Sequence, residues 1–115
     1  MNVLLYAIGK QPNVISIEEN NSTFENLIGG KVKVLPIVNE LFIVYDNDHN
    51  KKESIKRKAH NMNRIITIPD IKNGRIAEMK RKAINGDFFV CQMKKGDYVD
   101  LQTDKIFEVM ALCGN

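Results

Sequence analysis

The side chains most able to do chemistry in this 115-residue chain are the cations of its middle. Residues 51–95 hold thirteen Lys and Arg against four Asp and Glu, whereas the remaining residues hold four against ten. A basic segment on an otherwise acidic body attracts polyanions or acidic protein surfaces. We expect nine of these cations to form a contact surface: Lys51, Lys52, Lys56, Arg57, Lys58, Arg64, Lys80, Arg81 and Lys82.

Aromatic side chains are missing from the basic region, which limits how it could bind a nucleic acid. Residues 46–87 contain no Phe, Tyr or Trp, and proteins that bind single strands commonly stack the bases on aromatic rings. We therefore expect contacts to phosphate groups or groove edges. An alternative stays open, in which the cations are only solvated helix faces, because exposed charge is common on protein surfaces.

The candidate nucleophiles and bases do not form a catalytic set. His49 and His60 lie in polar segments and are predicted to be surface side chains. Cys91 closes the apolar run Phe88–Cys91 and is predicted to be buried. Neither Cys91 nor Cys113 has further cysteines or histidines at the spacing of a zinc site. The two thiols are those expected of a protein in a reducing compartment.

No segment has the spacing of a metal or phosphate loop. Residues 46–50 alternate oxygen-bearing side chains, but a calcium loop needs Gly and Glu where this chain has Lys51 and Arg57. A polar turn or helix start is expected there instead. Gly29-Gly30 lacks the third glycine and the Lys-Ser/Thr pair of a phosphate loop. The sequence therefore predicts a binding protein, not an enzyme, with no catalytic residues, no metal and no cofactor.

Length and composition fit one domain spanning residues 1–115. The chain has 43% hydrophobic and 27% charged residues, an ordinary globular composition. A chain of this length buries roughly two-thirds of its unfolded surface. No basic and apolar leader precedes the first apolar run, and no apolar stretch approaches the roughly 18 residues of a membrane span. We therefore expect a cytoplasmic protein.

The first part of the chain has the periodicity of strands, with one short helix. Asn2–Ile8 and Val14–Ile17 predict a hairpin. Ser22 and Glu25 have the spacing of a capping box, which predicts a helix that begins there and ends at Gly29-Gly30.

Two further strands are predicted after this helix. Lys31–Leu35 alternates strictly, which places Val32 and Val34 inward and both lysines in solvent. Leu41–Tyr45 is apolar enough to be a central strand.

The basic middle is predicted to be mostly helical over residues 51–84. A helix over Lys51–Met62 would dock through a thin apolar stripe. Arg64–Ile68 is predicted as a short strand or extended connection, and Arg75–Ile84 as a second short helix bearing Lys80–Lys82. Whether the two basic segments meet in space is left open.

The last part of the chain predicts a hairpin and a terminal helix. Phe88–Met93 and Tyr98–Leu101 are the two strands of the hairpin. Thr103 is placed to cap the helix. Five apolar residues would mostly cover the sheet: Ile106, Phe107, Val109, Met110 and Leu112. The predicted fold class is α+β, with an antiparallel or mixed sheet of about five or six strands and two to four short helices.

The order of these features resembles an uncharacterised small-domain family of bacteriophages and of integrative or conjugative elements of Gram-positive bacteria. The stretches that carry the resemblance are Leu27–Gly30, the strand Lys31–Leu35 leading to Asn39 and the strand before Asp46-Asn47-Asp48, Asn85–Val90 and Asp100–Thr103. They cover about half of the chain. The family has no settled activity to transfer, and the middle of this chain is longer and more basic than the family pattern.

The resemblance implies a small accessory protein of a mobile element, in the cytoplasm of a bacterial host. Such proteins often bind and block host components. We therefore expect an inhibitor of a nucleic-acid-dependent defence component, for example a CRISPR-type effector or a nuclease, acting through the basic surface. Its partners would be a host defence protein or ribonucleoprotein, or the phosphates of a nucleic acid or nucleotide, and no membrane. Two alternatives stay open: a module that sequesters a phosphorylated nucleotide signal, and a structural homo-oligomer.

Overall fold

The structure, a computed structural model, describes residues 1–48, 50 and 62–115. Within these ranges the chain forms eight strands and two helices. In chain order they are β1 (Asn2–Tyr6), β2 (Asn13–Ser16), α1 (Asn21–Ile28), β3 (Val32–Pro36), β4 (Leu41–Asp46), β5 (Met62–Lys72), β6 (Arg75–Asn85), β7 (Phe88–Lys94), β8 (Asp97–Val99) and α2 (Thr103–Cys113). Neither of these helices is long and apolar enough to cross a lipid bilayer.

Six strands form one antiparallel sheet around β7. The strand order is β2-β1-β7-β4-β3, and β8 also pairs with β7. Val90 of β7 lies opposite Leu4 of β1 and Ile43 of β4. β8 continues the edge of β7 that β1 occupies, because Gln92 pairs with both Leu41 of β4 and Val99 of β8. β7 is therefore enclosed on both edges, as its apolar sequence requires.

The main sheet is covered on both faces, so its central strands are apolar throughout. Tyr6 and Phe88 belong to one face, where their rings stack with centroids 4.8 Å apart. Phe89 belongs to the other face, where Phe24 of α1 meets it edge-on at 5.2 Å. Strand side chains alternate between faces. One strand therefore serves two cores, with α1 over one and α2 and the β5–β6 hairpin over the other.

The β5–β6 hairpin is a separate two-stranded ribbon laid on the main sheet. Each strand has 11 residues. They are joined by Asn73 and Gly74, whose φ values of 53° and 74° fit a type I′ turn. Ile66, Ile68 and Ile84 are buried at the root of the ribbon, whereas residues 72–81 are all exposed. The far half of the hairpin is therefore a solvent-exposed arm.

The helix predicted over Arg75–Ile84 is wrong, because this segment is strand β6. The Asn73-Gly74 dipeptide is a strong hairpin signal, and it pairs β6 with β5 over its whole length. The domain is consequently mostly β: the main sheet has six strands, within the number expected, and the hairpin adds a separate sheet of two. The helix predicted over Lys51–Met62 lies outside the described residues except for Met62, which begins β5.

Three smaller expectations are also corrected. The cap of α1 is Asn20, whose side chain accepts a hydrogen bond from the Thr23 amide at 2.7 Å, and Ser22 lies inside the helix. Phe107 of α2 points away from the sheet and is 75% exposed. Val34 is exposed because β3 is an edge strand with only β4 beside it.

The predicted Thr103 cap is wrong, because Gln102 holds the cap position of α2 and no side chain caps this helix. The other predicted elements are confirmed. The β1–β2 and β7–β8 hairpins, the central position of β4 and the terminal helix are all present. α1 ends at Gly29 with a φ of 80°, the left-handed conformation expected of a glycine there. Asp46 forms the expected polar turn, since its Oδ1 accepts a hydrogen bond from the Asp48 amide at 2.9 Å.

Truncation of Ile84 should detach the hairpin from the sheet. Ile84 is 0% exposed, so Ile84→Ala should lower the free energy of unfolding by about 2–5 kcal/mol through lost burial and a cavity. Ile76→Ala, on the same strand but 61% exposed, is the matched control and should change it by less than about 0.5 kcal/mol. Urea unfolding monitored by circular dichroism measures both. Equal effects would contradict this packing.

Candidate functional site

A cationic cleft of about 380 Å³ separates the edge of the main sheet from the β5–β6 hairpin. Its floor is formed by side chains of β3, β4 and β5, and its cations come from β3 and β6. The floor residues are Leu35, Tyr45 and Ile68, and the cations are Lys33, Lys80, Arg81 and Lys82. The cleft therefore joins two parts of the chain that are about fifty residues apart.

Strand register directs two lysines of β6 toward this cleft. Lys82 lies opposite Ile66, and Lys80 lies opposite Ile68. Cross-strand partners share a face of a ribbon, so both lysines occupy the row that the buried isoleucines occupy. Lys82 is half-buried and Lys80 is exposed. Cations in a core-facing row are unusual unless they prevent edge pairing or bind something.

Lys33 contributes the opposite wall of the cleft. It lies on β3 across from Tyr45 of β4, and both belong to the face of the main sheet that carries the hairpin. The sequence predicts Lys33 only as a solvent-facing residue of a strand, outside the expected contact surface. The available signal was that Lys33 lies two residues before Leu35 in the same strand. Residues at this spacing share a face of the sheet, and Leu35 packs against the core on that face.

Three of the four cleft cations have no acidic partner among the residues that the structure describes. Lys80 Nζ lies 3.7 Å from Asp70 Oδ1, and both side chains are partly exposed. The side chains of Lys33, Arg81 and Lys82 form no ion pair or hydrogen bond within residues 1–48, 50 and 62–115. A concave surface lined by one sign of charge concentrates its field in the cleft and attracts counter-ions.

Tyr45 adds a hydrogen-bond donor to the floor. Burial raises the pKa of its hydroxyl above the ordinary value for tyrosine, so the group keeps its proton at neutral pH. The cleft therefore offers cations and a neutral donor over an apolar base. This combination suits an oxyanion attached to a less polar group.

Arg64, also predicted to contact the partner, lies at the root of the hairpin and is engaged by the protein itself. Its guanidinium donates to the carbonyl oxygens of Lys10 at 2.9 Å and Asn63 at 3.0 Å, and it lies 5.6 Å from the centroid of the Tyr6 ring. The structure therefore places Lys80, Arg81 and Lys82 at the cleft. Arg64 instead binds carbonyl groups of the protein itself.

The remaining predicted contact residues lie outside the described part of the chain. They are Lys51, Lys52, Lys56, Arg57 and Lys58, and the same holds for His49 and His60. Asn50 and Met62, the described residues on either side of residues 51–61, both contact Asn85. Asn50 Nδ2 donates to the Asn85 carbonyl at 3.0 Å, the Asn85 amide donates to Asn50 Oδ1 at 2.8 Å, and Met62 pairs with Asn85 in the hairpin. Asn50 and Met62 therefore both lie at the root of β6, where Asn85 is three residues from Lys82.

Both cysteines are buried away from the cleft. Cys91 packs in the core between the main sheet and α1. Cys113, the last residue of α2, packs in the core on the other face of the sheet. Burial raises the pKa of each thiol to about 12, far above the range of a reactive thiolate. Within the described residues, no group of three or more His, Cys, Asp or Glu could hold a metal ion.

A second cleft, of about 570 Å³, lies on the other side of the hairpin and has a different character. It is lined by Ile37, Val38, Asn39, Pro69, Ile76, Glu108, Ala111 and Leu112. No cation lines it, and its two polar side chains bond each other, Asn39 Nδ2 donating to Glu108 Oε1 at 2.6 Å. The cationic cleft is therefore the stronger candidate for recognition of a charged ligand.

Arg64→Lys should separate the structural role of this residue from the cleft. Lysine keeps the charge but cannot form both carbonyl contacts, so we expect the free energy of unfolding to fall by about 1–3 kcal/mol. Arg81→Lys, which replaces a cation with no described partner, is the control and should change it by less than about 0.5 kcal/mol. Equal destabilisation of the two variants in urea would contradict the assignment.

The native thiols should be unreactive and should make stability sensitive to alkali. A disulfide reagent at mildly alkaline pH should label neither cysteine until urea exposes both. Because burial raises the thiol pKa from 9 to about 12, this contribution to stability is complete below pH 9 and is lost as the pH rises from 9 to 12. Urea midpoints measured across that range test the sign, and rapid labelling of the folded protein would contradict the burial.

Comparison with known proteins identifies a family but no activity. Neither a curated protein nor a solved structure matches the chain. The model of DUF3846, a domain of unknown function, matches residues 1–113. The chain therefore belongs to the DUF3846 family.

Proposed function

We propose that this protein is a non-catalytic binding protein that holds phosphate groups of a nucleic acid or nucleotide in the cleft between β3 and β6. The observation that carries the proposal is the convergence of Lys33 and Lys82 on one cleft without described acidic partners. Like charges held together repel one another, and a bound anion relieves this repulsion. Each cation that neutralises a phosphate releases condensed counter-ions and adds salt-sensitive affinity.

Phosphate is favoured over base recognition as the bound group. The hairpin, residues 62–85, contains no aromatic residue on which a base could stack. Tyr45 lines the cleft but is only 3% exposed, so its ring is already used by the core. Lysine and arginine are the usual side chains for phosphate contacts, which give affinity without reading sequence.

Binding is favoured over catalysis by the state of the described nucleophiles. Cys91 and Cys113 are fully buried, with the pKa of each raised by that burial. Gln92, a buried polar side chain of the sheet, forms hydrogen bonds with Glu40 and Gln102. The carboxylate beside the cleft, Asp70, is paired with Lys80 at 3.7 Å, and no described cysteine or histidine lines the cleft.

We further propose a setting for this binding. The protein would act as an accessory protein of a phage or mobile element and block a host nucleic-acid-dependent defence component. A cleft that holds phosphates could grip guide RNA or target DNA of such a component, since these complexes depend on backbone contacts.

Charge reversal in the cleft should abolish salt-sensitive binding. Lys33→Glu with Lys82→Glu should weaken binding of a fluorescent single-stranded oligonucleotide at least tenfold at low salt. The slope of log affinity against log salt should become shallower by about 1–2 units. Fluorescence anisotropy across a salt series measures both quantities.

The matched control is Lys94→Glu with Lys95→Glu, which makes the same change in net charge at the exposed β7–β8 turn. It should retain most of the affinity, since neither residue lines the cleft. If both double variants weaken binding equally, the interaction depends only on net charge and the cleft is not the site. Melting temperatures of all variants check that folding is unchanged.

A further inference from the structure

We infer that the cleft selects a terminal phosphate, the phosphomonoester of a nucleotide or of a nucleic-acid end, over the internal phosphodiesters of a chain. This inference rests on the proposed function, because it specifies the ligand of the same site. It goes further in stating that the ligand is an end group. The observations that carry it are the two-walled arrangement of the cations, the closed floor and the amount of unpaired charge.

The cations stand on facing walls instead of following a line. Lys33 projects from β3 on the main sheet, and Lys82 projects from β6 on the hairpin. Proteins that follow a single strand present a groove along which successive phosphates lie. Here the two walls belong to different sheets, so their cations surround one position between them.

The floor of the cleft is closed by the core. Tyr45 is 3% exposed and Ile68 is 5% exposed, and both pack in the core under the hairpin. A ligand must therefore enter and leave through the mouth. A terminal phosphate has one covalent connection to the rest of its ligand, so it can enter the cleft end-on. An internal phosphodiester must bring both of its connections through the mouth. The volume of about 380 Å³ is within the range of small-ligand sites.

The unpaired charge matches a phosphomonoester better than a phosphodiester. A phosphomonoester carries about −1.5 to −2 charges at neutral pH, with a second pKa near 6. An internal phosphodiester carries a single negative charge. The side chains of Lys33 and Lys82 have no described acidic partner, so together they can compensate more than one negative charge, and the protonated Tyr45 hydroxyl adds a donor.

Among the described residues, two acidic side chains, Asp70 and Glu78, lie on the same row of the hairpin as the cleft lysines. The described groups that face this position are Lys33 and Tyr45 from the main sheet and Asp70, Glu78, Lys80, Arg81 and Lys82 from the hairpin. Asp70 lies 3.7 Å from Lys80 and offsets that cation, whereas Lys33 and Lys82 form no ion pair with a described residue. None of these side chains is a histidine, the residue type that commonly titrates in the range around pH 6. A change in affinity around that pH should therefore come from the ligand.

The test compares one short single-stranded DNA with a 5′-phosphate and with a 5′-hydroxyl, using the full chain. We expect the phosphorylated strand to bind roughly tenfold more tightly, as a strong charge-assisted contact would produce. This advantage should shrink as the pH falls from 7.5 to 5, because the terminal phosphate gains a proton near pH 6. Lys33→Gln with Lys82→Gln should remove the advantage, and Lys94→Gln with Lys95→Gln should retain it.

Competition with AMP and with adenosine identifies the source of the phosphate. If AMP competes and adenosine does not, a free nucleotide is sufficient. If the phosphorylated strand binds and AMP does not compete, the ligand is a nucleic-acid end, and the inference also stands. Equal binding of the two strands, with normal salt dependence, would overturn the inference and leave the proposed function intact. Absence of binding to every probe would overturn both.

Discussion

The hairpin packs through a short row of isoleucines, and the remaining features of the molecule depend on this contact. Ile66, Ile68 and Ile84 bury the root of the β5–β6 ribbon against the main sheet and α2. Because a two-stranded ribbon is marginally stable alone in water, this burial is what holds the hairpin in place. The same inward row continues as Lys82 and Lys80, so the contact that fixes the hairpin also sets those two lysines opposite β3.

Polar contacts at the root of the hairpin define how it leaves the sheet. The register of β5 shifts between Met62 and Arg64, which leaves Asn63 without a strand partner. Asn63 Nδ2 instead donates to the carbonyl oxygens of Tyr6 at 2.8 Å and Gly86 at 2.9 Å. The Arg64 guanidinium binds carbonyl groups nearby, and Tyr6 donates to the Gly114 carbonyl at 2.7 Å. The hydrogen bonds at the root of the hairpin, together with the burial of its isoleucines, therefore fix the angle at which the exposed arm leaves the main sheet.

The cleft follows from two edges that do not pair. β3 is an outer strand of the main sheet, and β6 belongs to a separate sheet, so the space between them is not closed by a hydrogen-bonded ladder. Lysine on exposed edges also prevents unwanted strand pairing. The same residues can therefore protect the edges and receive an anion. The proposed phosphate site needs no element other than those that the fold already requires.

Much of the fold could be predicted from local pattern, because strand alternation, glycine turns and apolar runs are properties of neighbouring residues. Local pattern predicted the β1–β2 and β7–β8 hairpins, the buried strands β4 and β7, the end of α1 at Gly29 and the burial of Cys91. The basic character of the middle was also evident from the sequence alone. The segment of β6 was wrongly predicted as a helix because its cations were assigned to a solvated helix face. The Asn73-Gly74 dipeptide favours a hairpin instead. Only the tertiary structure decided that Lys33 joins Lys80–Lys82 while Arg64 is bound internally, because convergence of residues distant in the chain depends on how two sheets pack.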